Sequence, residues 1–295
     1  MATHLPRIKS RMAIHSHRKV RGLLQGEYAS ISVGRSMDLN DLREYVRGDD
    51  VRDIDWKASA RGGHMLVKRF VATRKHTVLV VVSTGRSMAA VNDRLLPKRD
   101  LAVYVAGVVG WLAVRHGDLV GVAYGDAGGC QVRPASGGEL RLEHALGAIH
   151  DAITPDAAPS DLAGLLEHVA RAVRRRRTIM VVVCDEHALD DRLTDALDRA
   201  RVQHEVLLVT VGDLDPTRPD VPALADIDSG AALPEWMAGD TRLEREYADR
   251  LAADARGLQA GLARLGIPHE GVVDHESAVP AIFRLLERHR HARRR

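Results

Sequence analysis

The chain has 295 residues, 45% of them hydrophobic, which is enough to bury a substantial core and excludes disorder throughout. Its formal charge of +3 conceals a partition into +8 over residues 1–77, −10 over residues 78–287 and +5 over residues 288–295. The longest uncharged run, Leu101 to Val114, is 14 residues, short of the roughly 20 of a membrane-spanning helix. Ten aromatic residues argue against reading of single strands by base stacking, and two cysteines, Cys130 and Cys184, make no disulfide framework.

Residues 1–21 hold six basic groups, no acidic one and three histidines, and they read as an arm that packs little. They contain no apolar stretch of the secretory kind, so a reducing cytosol is the expected setting. Residues 22–76 form a second basic segment, dense in turn signals. Within it Asp49, Asp50, Asp53 and Asp55 fall inside seven positions. They admit a metal or acid–base reading. They also admit a structural one, in which Gly48-Asp49 turns the chain, Asp53 caps a short helix Ile54–Ala60 and pairs with Lys57, and Ile54, Trp56 and Ala58 dock the segment onto the body.

From residue 77 onward short β-branched runs alternate with helical patterns. Strands are expected at Thr77–Val82, Leu119–Tyr124, Thr178–Cys184, Glu205–Val211 and His269–Val273, the continuous apolar runs among them suiting strands covered on both faces. Pro97 opens a helix in which Leu101, Val105, Val108 and Leu112 recur at helical spacing up to His116-Gly117. Further helices are expected from Gly138 to about Ile153, from Ser160 or Asp161 to the Arg174–Arg177 run, from Asp190 to Ala200 and from Thr241 to Leu265. Residues 125–134 make a turn and an edge strand too close to the preceding strand for a parallel crossover. Asp213–Gly239 reads as a loop with at most one short strand, and residues 289–295 as a basic tail. The pattern is α/β: a doubly wound, mostly parallel sheet with one antiparallel edge strand, whose sites lie at the carboxyl ends of the strands.

Few isolated residues suggest catalysis. Cys184-Asp185 ends a strand, but no histidine is fixed nearby in sequence, and a buried structural cysteine accounts for it. Arg174–Arg177 could grip phosphate, or simply complement a helix dipole. His15 and His17, and His289 and His291, lie in the basic ends. The glycine-rich and nucleophile-elbow motifs of dinucleotide, nucleotide and serine-hydrolase sites are missing.

The run from Gly26 to Phe70 resembles the hallmark of the domain of unknown function 58 family. Arg43, Tyr45, Gly48, Asp49, Asp50, Arg52, Asp53, Ile54, Asp55, Trp56, Lys57 and Arg61 stand in the order in which that family places an aromatic, Gly-Asp-Asp, Arg, Ile-Asp-Trp-Lys and Ala-Arg before a von Willebrand factor A-like domain. The resemblance spans roughly residues 20–288. It implies a von Willebrand factor A-like, Rossmann-type body and a role as partner or adaptor of MoxR-type AAA+ ATPases. Many members carry N-terminal membrane segments, which this sequence lacks.

In von Willebrand factor A domains the loop after the first core strand reads Asp-x-Ser-x-Ser and binds Mg²⁺ with a later Thr and an Asp after the fourth strand. Here Ser83 stands at the first Asp, Gly85 at the first Ser, and only Ser87 matches, with Asp185 at the later acidic position and Ser160 in place of the Thr. Hard oxygen ligands and negative charge are thus short, and Arg86 adds a cation. The expectation is a degenerate metal site without Mg²⁺, in which Arg86 either pairs with Asp185 and holds the loop or faces solvent.

Two functions follow. The first is a non-enzymatic, cytoplasmic adaptor of a MoxR-type AAA+ ATPase, presenting the strand-end loops, with no catalytic residue and no cofactor. The alternative is a nucleic-acid or anionic-surface binder using the basic termini, testable by deleting both ends.

Overall fold

The computed structural model describes residues 3–15, 42–46, 51, 54–68, 76–174, 177–185, 189–218, 220 and 225–292. Among these, residues 3–15 and 76–292 belong to one compact unit and residues 42–68 to another.

In the larger unit helix α1 (His4–His15) precedes a six-stranded sheet of β3 (Thr77–Ser83), β4 (Leu119–Asp126), β5 (Gly129–Ser136), β6 (Ile179–Asp185), β7 (Glu205–Val211) and β8 (His269–Val272), in the spatial order β5-β4-β3-β6-β7-β8. All pairings are parallel except β4 with β5, which pair antiparallel at the edge. The sheet is therefore doubly wound and mostly parallel, as the alternation of runs requires. Residues 213–239 contain, among the described positions, one isolated bridge, Ala225 with Ala232, and a single 3₁₀ turn.

Side chains alternate across each strand, so a continuous apolar run feeds two cores. Val78, Val80 and Val82 face one side with Val181, Val183 and Val209; Leu79 and Val81 face the other with Val182 and Leu208. On the first side lie α3 (Lys98–Arg115), α4 (Glu139–Ala152), α8 (His275–Ala292) and α1; on the second lie α5 (Leu162–Ala172), α6 (Asp191–Gln203) and the last turns of α7 (Thr241–Arg264). Helix α3 is apolar almost all round because α1, α4, α8 and the sheet surround it. Gly110 makes room for Leu142, since a Cβ there would fall 2.6 Å from the Leu142 Cδ1.

The two ends depart from expectation. Residues 4–15 are a docked helix, not a loose arm. Leu5, Ile8 and Met12 recur at i, i+3 and i+7 and are each 3% exposed, while Arg7 and Arg11 beside them stay exposed. Glu143 on α4 caps the helix from outside, its two carboxylate oxygens accepting from the His4 and Leu5 amides at 2.6 Å each. Ile8 lies over Gly107, where an added Cβ would meet its Cδ1 at 2.1 Å. The remaining arm residues, 16–21, lie outside the described set.

Likewise the C-terminal basic run continues helix α8 to Ala292. His289 is buried, and its Nε2 lies 2.8 Å from Glu205 Oε2. Arg284 and Arg288 both reach Glu270. A capping pair starts the helix, Ser277 N donating to Asp274 Oδ1 at 2.7 Å.

If α1 is part of the core, Ile8→Ala should lower unfolding stability by about 2–5 kcal/mol, read as a fall in the urea midpoint. An unchanged midpoint would return residues 4–15 to the status of a loose arm.

Burial holds the pKa of His4, His116, His204, His269 and His275 below the usual histidine value of 6.5. His204 also meets the Thr178 hydroxyl at 3.0 Å through Nδ1, and His269 the Thr210 hydroxyl at 3.0 Å through Nε2. Because these folded-state values are depressed, the unfolded chain takes up protons first as pH falls below about 6.5. Stability from this source is complete above that pH and declines as pH drops toward the folded-state values. Urea unfolding between pH 8 and 5 should show that acid-side loss, with a smaller slope in His204→Gln; stability rising on acidification would contradict it.

Candidate functional site

Strand order reverses between β3 and β6, so the crevice of this sheet opens at their carboxyl ends. Ser83 ends β3, Asp185 ends β6, and a 3₁₀ turn, Arg86–Ala89, follows β3. The structure brings together Ser83, Gly85, Ser87 and Ser160. The Ser87 and Ser160 hydroxyls are 2.8 Å apart, and Ser83 Oγ lies 3.5 Å from Ser160 Oγ. The Thr84 amide donates to Gly125 O and the Arg86 amide to Ala158 O, fixing the loop to its neighbours. Gly85 is required by close approach: a Cβ there would lie 2.3–2.5 Å from the Ser160 Oγ, Cα and N.

The cation at this site is not the expected one. Lys98, the first residue of α3, is wholly buried, and its ammonium donates to Asp185 Oδ1 at 2.6 Å and Asp213 Oδ1 at 3.1 Å. The Lys98 side chain is 1% exposed and that of Asp185 4%, whereas Asp213 is half exposed. Arg86 instead faces Asp228, with Nε 3.8 Å from Oδ1 and a guanidinium N–H donating to the Asp228 carbonyl at 3.4 Å. The Arg86–Asp185 pairing is thus corrected to Lys98–Asp185. A lysine at a helix N-terminus opposes the helix dipole, and the two carboxylates offset that cost. The sequence does carry a signal for it: Lys98 is in register with Leu101, Ala102 and Val105, the buried stripe of α3.

A divalent ion does not fit these residues. The Asp185 oxygen at the site is engaged by an ammonium, two of the three hydroxyls bond each other, and position 85 has no space for an oxygen-bearing side chain as the loops stand. An added unit charge at ~4 Å from Lys98 would be opposed by roughly 4 kcal/mol at an effective dielectric near 20. Among the described residues no group of three His, Cys, Asp or Glu side chains is arranged to hold a metal.

Beside this centre the loop of residues 92–96 is tied down from below. Asn92 is 1% exposed; its Nδ2 donates to Val273 O at 2.6 Å, and its Oδ1 accepts from the Arg94 and Leu96 amides. The Asp93 amide donates to Asp213 O, and Asp93 Oδ1 accepts from the Asp215 amide. At the tip Leu95 has φ 55° and is 49% exposed. A left-handed conformation costs a leucine roughly 1–3 kcal/mol, so the loop holds an apolar side chain outward against a local penalty. Sequence reasoning gave this loop no role.

Cys184 faces the second core with Leu79 and Val81, a structural position. Helix α5 stops at Ala172, and Arg177 pairs with Glu205 at 3.3 Å, so the arginine run does not converge on a site in the described residues.

In the smaller unit β1 (Leu42–Glu44) pairs antiparallel with β2 (Leu66–Lys68), Arg43 opposite Val67, and Tyr45 N donates to Met65 O. Ile54 is buried and bridges Val67. The helix of this unit, α2, spans Trp56–Gly62, and its cap is Asp55, not Asp53: Asp55 Oδ1 accepts from the Lys57 and Ala58 amides at 3.1 and 3.0 Å. The side chains of Trp56, Lys57 and Arg61 are exposed. Gly48, Asp49, Asp50, Arg52 and Asp53 lie outside the described residues. Asp55 thus has a structural duty in place of the acid–base one entertained for the cluster.

The family model described as "Protein of unknown function DUF58" matches residues 41–254. An uncharacterised protein of Mycobacterium tuberculosis is 27% identical over 255 residues, 85% of this chain and 78% of the relative. Two solved structures are similar at low identity. An aerotolerance-related membrane protein from Bacteroides fragilis is 15% identical, with a TM-score of 0.47 over 72% of this chain and 98% of that one. The SpRpn10 VWA domain is 8% identical, with a TM-score of 0.35 over 48% of this chain and 78% of that one.

The Lys98 pair yields a stability prediction. Lys98→Met leaves Asp185 without its ammonium and should cost about 3–5 kcal/mol, while Lys98→Met with Asp185→Asn should recover part of it. Arg86→Gln, at a partly exposed pair, should cost under about 1 kcal/mol. Equal losses for Lys98→Met and Arg86→Gln in urea unfolding would contradict the assignment.

Proposed function

The chain belongs to the DUF58 family, and on that premise we propose that it is a non-enzymatic adaptor that docks through its strand-end face onto an AAA+ ATPase of the MoxR type. The observation that carries this reading is the Lys98 ammonium fixed between Asp185 and Asp213 at the crevice where doubly wound sheets hold ligands. An internal cation there gives a face set in advance, with neither metal nor substrate needed to order it. On this reading the body is von Willebrand factor A-like with a degenerate metal site, works without Mg²⁺, and acts in the cytoplasm. No helix among the described residues is long and apolar enough to cross a membrane, which suits that setting.

The docking face would consist of Leu95, Arg86 and the turn around Asp228. Leu95 suits an anchor: apolar, half exposed and held in place by the bonds of Asn92. The charge partition would act on the rate of encounter more than on affinity. The nucleic-acid alternative receives less support, because several basic residues of both ends lie on helices whose other faces are buried, so deleting the ends would damage the fold along with any anion binding.

The test is co-purification of the full chain with the MoxR-type ATPase of the same genome, with and without nucleotide. Wild type should form a complex, Leu95→Asp should lose it, and Leu95→Gly should weaken it while leaving stability unchanged or up to about 1 kcal/mol higher, because glycine accepts the left-handed conformation. No association in any nucleotide state, or undiminished association of Leu95→Asp, would overturn the proposal.

A further inference from the structure

Docking of α1 against α3, α4 and α8 forms an open cavity of about 270 Å³. Its chemistry is one-sided. Arg7 and Arg11 reach it from α1 and Arg99 from α3, and Asp100 is the one carboxylate in its lining. Asp100 lies 3.9 Å from Arg99 Nε and 3.9 Å from His150 Nε2, too far for direct hydrogen bonds. Among the described residues neither Arg7 nor Arg11 has a carboxylate within ion-pair distance. Three guanidinium groups therefore share one acid.

Two polar atoms at the cavity are buried without a hydrogen-bond partner among the described residues: the Tyr104 hydroxyl and the Arg99 Nε. Tyr104 as a whole is 4% exposed, and its ring packs edge-on to His275 at 4.9 Å between centroids. An orphaned buried hydroxyl costs about 1–3 kcal/mol, and one lining a cavity rich in cations is placed to donate to an anion. Burial is the main cause that lowers the pKa of His4 and His275; His150 and Arg11 respectively add to it, and Asp100 opposes it at both.

We propose that this cavity binds a small phosphorylated ligand, its phosphoryl group held by Arg7, Arg11 and Arg99 and by a hydrogen bond from the Tyr104 hydroxyl. A phosphomonoester carries about −1.5 to −2 charges and three acceptor oxygens near neutral pH, which matches three guanidiniums less one carboxylate better than a single carboxylate ligand does. The volume accommodates a phosphoryl group with a short substituent, below the usual range for drug-sized ligands. Since the donors come from both α1 and α3, binding would clamp the N-terminal helix to the body.

Calorimetric titration of the full chain with inorganic phosphate and with methyl phosphate, at chloride-matched ionic strength, tests this. Saturable one-site binding is expected, with a rise in melting temperature. Tighter binding of methyl phosphate would identify a phosphoester, tighter binding of inorganic phosphate the free anion. Arg11→Gln should weaken binding at least about tenfold. Tyr104→Phe removes only the orphaned hydroxyl, so it should weaken binding severalfold while leaving the ligand-free melting temperature unchanged or raised. Lys9→Gln, whose side chain pairs with Glu139 outside the cavity, should bind as wild type does. No saturable binding of either probe up to ~20 mM, or equal affinity of wild type, Arg11→Gln and Tyr104→Phe, would overturn the proposal.

Discussion

A lysine ammonium buried at the head of the central helix is the constraint around which this fold is arranged. Removing a charge of that kind from water costs several kcal/mol, and the cost is met only where opposite charges stand at hydrogen-bond distance. Asp185 and Asp213 meet it from the ends of β6 and just beyond β7. The start of α3 is thereby fixed to the carboxyl edge of the sheet. The loop of residues 92–96, anchored by Asn92 and Asp93 to the ends of β7 and β8, is held in the same place.

From that anchor the rest follows by packing. Helix α3 runs through the first core with few polar faces, and its glycines let neighbours approach: Leu142 of α4 at Gly110 and Ile8 of α1 at Gly107. Helix α1 covers an apolar strip of α3 and turns its arginines toward the cavity beside Tyr104. The strand-end face and this cavity are separate features of one helix, one at its first residue and one along its first two turns.

The sheet was legible because β3, β6 and β7 are short continuous β-branched runs, which suit strands covered on both faces. The short link from β4 to β5 forced the antiparallel edge. The ends are hard to read because charge outweighs periodicity: in residues 4–15 the basic groups are conspicuous, whereas Leu5, Ile8 and Met12 supply only three buried apolar side chains. Their cap, Glu143, lies far away in sequence and gives no local sign. Arg86 is the cation of the motif loop itself, whereas Lys98 opens a later helix, where a charge is ordinarily solvated and gives no sign of its bond to Asp185. The hydroxyls of Ser83, Ser87 and Ser160 lie together at the strand ends. What one sequence could not reveal is that Gly85 is filled against by Ser160 and that Tyr104 has an unpartnered hydroxyl, since both are properties of packing.

The central claim, that an internal cation occupies the place of an external one, is tested most directly by titrating the full chain with Mn²⁺ in a calorimeter, beside Asp185→Asn. The account predicts no binding in the micromolar range by wild type. A micromolar site that disappears in Asp185→Asn would show that Asp185 serves a metal and would contradict it.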